Sequence, residues 1–86
     1  MTAPALAVDD WRHVRRGSKE HARVRANTTA AMYYRDRRTP GEPANLAEMW
    51  KSFDMLRYCR CNMYADADGR YRLDFGLSVF YLTVAD

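Results

Sequence analysis

No stretch of this chain is long and apolar enough to make a membrane helix. Its longest apolar run, Leu77–Ala85, is of strand length, against the ~20 residues a helical span needs. The first eight residues carry no basic start and run into Asp9-Asp10, a poor signal peptide, so the expected location is cytoplasmic. Cysteine is scarce. The two that occur form Cys59-Arg60-Cys61, a spacing that on a strand is poorly placed for an intramolecular disulfide. A reducing compartment follows, with both thiols acting as small apolar side chains.

Catalytic and metal motifs are missing as well. There is no Gly-x-Ser-x-Gly, phosphate loop, His-Glu-x-x-His or closely spaced carboxylate pair. His13 and His21 sit among cations with no nucleophile nearby, and a chain this size has a thin core in which to sequester a pocket, which argues against an enzyme. Cys59, Cys61, His13 and His21 match no zinc-module spacing. Asp66-Ala-Asp68-Gly69 lacks the third oxygen ligand and the terminal glutamate of a calcium loop, so it reads as a turn. Neither metal nor cofactor is expected.

What is present is the material of one small folded domain, residues 1–86, with residues 1–8 as a flexible arm. A hydrophobic fraction of 48% and an aromatic fraction of 13% exclude a disordered tail. Twelve of the fourteen basic residues are arginine, which a GC-rich coding sequence favours as much as phosphate chemistry does. The charge is uneven: Arg12–Arg38 holds nine Lys/Arg against Glu20 and Asp36, while Pro40–Asp86 has five basic and seven acidic residues. Such a basic half points to an acidic partner surface.

Taken in order, Trp11–Arg16 is expected to form a short helix ended by Gly17. Residues 20–37 have small or apolar side chains at even positions, which predicts one strand, or two meeting near Ala26-Asn27, over the helix that Ser18 would cap. Thr39–Pro43 is a loop. Asn45 caps a helix over 46–56, with Leu46, Met49, Trp50, Phe53 and Leu56 on its buried face; a longer helix to about Tyr64 is its rival. Arg57–Val84 reads as a hairpin whose odd positions, Cys59, Cys61, Met63, Tyr71, Leu73, Phe75, Leu77, Val79 and Tyr81, face the core. Its tip is either the three residues Ala67–Gly69 or the five residues Ala65–Gly69, the latter setting Arg60 opposite Asp74. Phe80 and Leu82 would then need a cover, from Trp11 and Val14 or from a second copy of the chain in a homodimer. The expected fold is α+β: three to four antiparallel strands with the 46–56 helix on one face and a short N-terminal helix.

The functional weight falls on arginine and tyrosine. In an extended segment Arg23, Arg25, Arg35 and Arg37 share a face with Tyr33, and Arg60, Arg70 and Arg72 join them on the outer sheet face with Tyr58 and Tyr64. Two functions are expected of that face. The first is a small non-enzymatic protein that binds and blocks or modulates an acidic surface of a larger partner, such as a nucleic-acid-processing complex. Its most concrete form is a phage or mobile-element inhibitor of a host defence system, of the anti-CRISPR kind. The alternative is a nucleic-acid-binding module, with cations for phosphate and rings for bases.

Overall fold

The computed structural model describes residues 11–36, 38–56 and 61–85. Along the chain run β1 (Trp11–Val14), α1 (Lys19–Asn27), β2 (Thr28–Tyr34), β3 (Glu42–Pro43), α2 (Leu46–Met55), β4 (Asn62–Asp66), β5 (Tyr71–Asp74) and β6 (Val79–Val84). The strands form one sheet in the order β1-β4-β5-β6-β2-β3, with every neighbouring pair antiparallel. The class is α+β, as expected, but the sheet has six strands where three or four were anticipated. Among the described residues no helix is long and apolar enough to cross a membrane.

α2 forms where its apolar spacing places it. The Asn45 side chain accepts from the Glu48 N–H at 3.0 Å, and Leu56 is the C-cap. Met49, Trp50 and Phe53 are buried, with Phe53 fully so, and its ring meets Phe75 edge-on at 6.0 Å. Beside it lies α1, which replaces the strand expected for residues 20–27. Ser18 accepts from the His21 N–H at 3.1 Å, Glu20 lies in the first turn and Arg25 in the last, and the cap and dipole together outweigh the small-residue alternation. The strand expected from the same stretch survives as β2, beginning at the β-branched pair Thr28-Thr29 and ending in Tyr33-Tyr34, residues that suit a strand.

Trp11–Val14 is a strand and not the first turns of a helix. So short a helix fails to offset its nucleation cost, whereas the open edge of β4 offers a ladder, with Val14 opposite Met63 and Trp11 opposite Asp66. Val14 thereby enters the core at 1% exposure. β3 adds two residues from within the expected loop to the far edge of β2.

The C-terminal hairpin is two hairpins. Met63 pairs with Leu73 and Ala65 with Tyr71, so the first tip is the three-residue loop Ala67–Gly69, with Gly69 at φ 81°. Asn62, not Arg60, stands opposite Asp74. A second turn then breaks the expected long strand: Phe75 N–H donates to the Ser78 carbonyl at 2.9 Å across Gly76-Leu77, and Gly76 at φ 92° supplies the left-handed backbone. This two-residue turn pairs Leu73 with Phe80 and Tyr71 with Leu82, reversing the parity of everything after it. Phe80 and Leu82 face the helices and need neither Trp11 nor a second copy to cover them. Val79 and Tyr81 take the outer face, and Leu77, expected in the core, stands in the turn at 93% exposure.

Both helices pack on the same side of the sheet. Val24 of α1 and the buried face of α2 join Val14, Ala31, Met63, Leu73 and Leu82 in one core. Among the described residues, no helix or strand covers the second face.

Candidate functional site

Of the eight expected site residues, the structure brings few together. Arg23 and Arg25 lie on α1, where they tie the helix down. Arg23 donates to the Tyr71 hydroxyl at 2.7 Å, and that hydroxyl donates to Glu20 at 2.8 Å. Arg12 completes the cluster with two 2.8 Å bonds to the Glu20 carboxylate. The Arg12 bonds, helped by the Tyr71 hydroxyl against the cost of burial, hold the Glu20 carboxyl down to about 2. Arg25 makes a bidentate pair with Asp54 at 2.6 and 2.7 Å, joining α1 to α2, with its guanidinium 5.0 Å from the centre of the Trp50 ring. Tyr33 turns to the helix side against Phe80, ring centres 4.8 Å apart, because β2 pairs Tyr33 with Phe80 in register. Arg35 follows β2, exposed and without an ion pair among the described residues. Arg70 folds back on the hairpin tip, its Nε 2.6 Å from Asp66. Arg72 is on the outer face. Arg37 and Arg60 lie outside the described residues, as do Tyr58, Cys59 and the arm 1–8.

Two helix-side residues hold positions the sequence does not show: Arg16, which was not singled out, and His21, weighed only for zinc and catalysis. Arg16 donates to the carbonyls of Phe53 and Cys61 at 2.9 and 3.2 Å, with its guanidinium 3.7 Å from the centre of the Phe53 ring. His21 packs against Trp50 and Phe53, its Nε2 buried without a partner. Burial, then the nearby Arg16 and Arg25, hold its pKa below the ordinary 6.5. A shallow hollow of about 300 Å³ lies over Tyr33, Phe80 and Met49, rimmed by Glu42 and Glu48. No three His, Cys, Asp or Glu side chains come together among the described residues to hold a metal ion. At the Asp66–Gly69 tip, Asp66 accepts instead from the Asp68 and Arg70 N–H groups and from Arg70 Nε.

The outer face is where aromatic and cationic chemistry gather. Strand register aligns His13, Tyr64, Arg72, Tyr81 and Met32 across five strands. Trp11 leans in from β1, with its ring centre 6.2 Å from Tyr81 and 4.7 Å from the Arg72 guanidinium carbon. That carbon is 4.9 Å from the Tyr64 ring centre, and Tyr64 in turn meets the His13 ring at 5.8 Å. Tyr34 extends the belt edge-on to Tyr81 at 5.5 Å. Its ring lies so close to Gly41 that a Cβ there would be 2.5 Å from it, and only glycine allows the loop past. Tyr64 and Arg72 were placed on this face by sequence alternation. Trp11, His13, Tyr34 and Tyr81 were missed, and the glycine at position 76, read as a turn, is the signal that would have recovered Tyr81.

At the centre of the belt Arg72 is only 5% exposed. Its ion pair among the described residues, Nη2 to Asp74, is 3.3 Å long. Its Nε is buried without a hydrogen-bond partner, and so is the Tyr81 hydroxyl, which lies against the guanidinium without completing a well-formed bond. Burial pushes the Tyr81 pKa up. Each unmet buried group of this kind costs ~1–3 kcal/mol. The face is close to neutral, with Arg70 and Arg72 balanced by Asp66 and Asp74.

The fold and the face define a small antiparallel sheet backed by two helices on one side, with an aromatic surface on the other that no described element covers. No family model, curated protein or solved structure matches the chain.

Proposed function

We propose that the protein is a non-catalytic binding module that docks its open sheet face onto an acidic surface of a protein partner. The observation that carries this reading is the aromatic belt around the buried Arg72. Trp, Tyr, Met and Arg are the residues that dominate protein interfaces, and Trp11, Tyr34, Tyr64, Tyr81 and Met32 present half-buried or exposed side chains on this side. Among the described arginines, Arg12, Arg25, Arg70 and Arg72 are tied within the chain to Glu20, Asp54, Asp66 and Asp74, which takes them from a phosphate track and disfavours nucleic acid. The acidic character of the partner is supported by the net charge of +3 and by Arg15 and Arg35. These follow β1 and β2 at the same end of the sheet, exposed and without ion pairs among the described residues. In its most concrete form the protein is a phage or mobile-element inhibitor that occupies a site on a host nucleic-acid-processing complex, a form supported by its positive net charge.

Photo-cross-linking tests the reading. Benzoylphenylalanine in place of Tyr64 should give a discrete protein adduct in cells that carry the gene, while the same probe in place of Lys51, on the exposed side of α2, should not. Adducts from position 51 alone would refute the assignment of the face. A gel shift with mixed-sequence RNA and DNA at two salt concentrations should show no retardation. Retardation that weakens with salt would transfer the function to nucleic acid.

A further inference from the structure

Arg72 is a cation held at 5% exposure on the one face of the sheet that no described element covers. Tyr64 and Tyr81 flank it across the neighbouring strands, and Trp11 reaches over it from β1. Beneath this roof two polar atoms lack a partner, Nε of Arg72 and the hydroxyl of Tyr81, on residues directly opposite one another. An arginine N–H and a phenolic O–H side by side match the two oxygens of a carboxylate. We infer that this aromatic cup is a carboxylate seat, in which an aspartate or glutamate side chain of the protein partner accepts hydrogen bonds from Arg72 Nε and the Tyr81 hydroxyl. The inference rests on the docking reading above and deepens it by naming the group that the face recognises.

The roof permits entry. Trp11 is half-buried on an edge strand of four residues, and its ring contacts within the cup are with Tyr81 and Arg72. Lifting the indole opens the cup without disturbing the ladder between β4, β5 and β6. Asp74 does not already fill the seat: one of its oxygens makes only the 3.3 Å contact to Arg72 Nη2, while the other accepts from Gly76 N–H at 2.8 Å. A carboxylate fits better than a phosphate backbone because Arg70 beside the cup is taken by Asp66, which leaves a recess for one anion and, among the described residues, no track of cations beside it.

The test is an NMR titration of the ¹⁵N-labelled full chain, following the Arg72 Nε–Hε and Trp11 indole signals. The probes are a glutamate hexapeptide, a glutamine hexapeptide and a mixed-sequence single-stranded oligonucleotide. The glutamate peptide should move both signals to saturation and the glutamine peptide should leave them in place. Tyr81→Phe removes a buried hydroxyl that has no partner, so the variant should melt at or above the wild-type temperature yet bind the glutamate peptide about tenfold more weakly. A purely structural Tyr81 would not separate the two readouts. An unmoved Arg72 Nε signal, unchanged affinity in Tyr81→Phe, or an oligonucleotide that shifts the same signals at lower concentration would each overturn the seat. If the seat fails while the Tyr64 cross-link persists, the docking face stands; loss of that cross-link removes the docking face itself.

Discussion

Arg25→Gln and Arg35→Gln are the same chemical change and should have different consequences. Arg25 loses a bidentate bridge between two helices, but both partners are well exposed, so the cost is ~0.2–1 kcal/mol. Arg23→Gln loses the bond to Tyr71 and should cost about 1 kcal/mol. Arg35→Gln should leave the melting temperature unchanged. Arginines that look interchangeable in the sequence are thus divided by what they touch, and equal losses at all three positions would contradict the contacts described. Gly41 makes the opposite point, since its backbone is unstrained and only the Tyr34 ring forbids a side chain. Gly41→Ala should push that ring off Tyr81, costing ~1–3 kcal/mol and abolishing the Tyr34–Tyr81 cross-peaks in NMR.

Among the elements, α2 was the most legible, because a cap, a 3.6-residue period and a flanking loop all agree there. Phe53→Ala should cost ~3–5 kcal/mol of a total of roughly 5–10, leaving the domain barely folded by thermal melt. α1 was misread because only Val24 of its nine residues is buried, so its sequence carries almost no helical stripe, and only the cap at Ser18 with Glu20 and Arg25 at the two ends pointed to it. β1 was misread because its ladder partner lies some fifty residues away, and no local pattern announces such a pairing. At the β5–β6 turn, Gly76→Ala should cost ~1–2 kcal/mol through its positive φ alone, since an added Cβ would touch nothing. Leu77→Asn next to it should change stability by less than ~0.5 kcal/mol, which a paired denaturant titration would check.

For the molecule as a whole, stability should decline with acid in two stages. In the unfolded chain His21 takes up its proton near 6.5, and in the fold only at lower pH, so its contribution is full above 6.5 and is lost as pH falls below it. The carboxyl of Glu20 moves from 4.5 to about 2 on folding, so its share is full above 4.5 and is lost as pH falls towards 2. Asp54 and Asp66, also held below the ordinary carboxylate value, add to the second stage. Melting temperatures measured down this range should fall in both windows. Glu20→Gln should flatten only the lower one, and a single-stage loss confined to the carboxylate range would contradict the environment assigned to His21. The candidate site was half legible at this scale: alternation put Tyr64 and Arg72 on the right face, but the ring that closes the belt, Tyr81, depends on the length of one turn. That dependence makes the β5–β6 pairing behave like a reading frame. A slip of one residue in it would carry Phe80, Leu82 and Val84 into water and Tyr81 into the core, turning the last strand inside out with no change in composition, whereas a residue inserted within the Gly76-Leu77 turn leaves the pairs, and so every face, in place. Length variation in the turn should therefore be tolerated where a shift of the ladder is not.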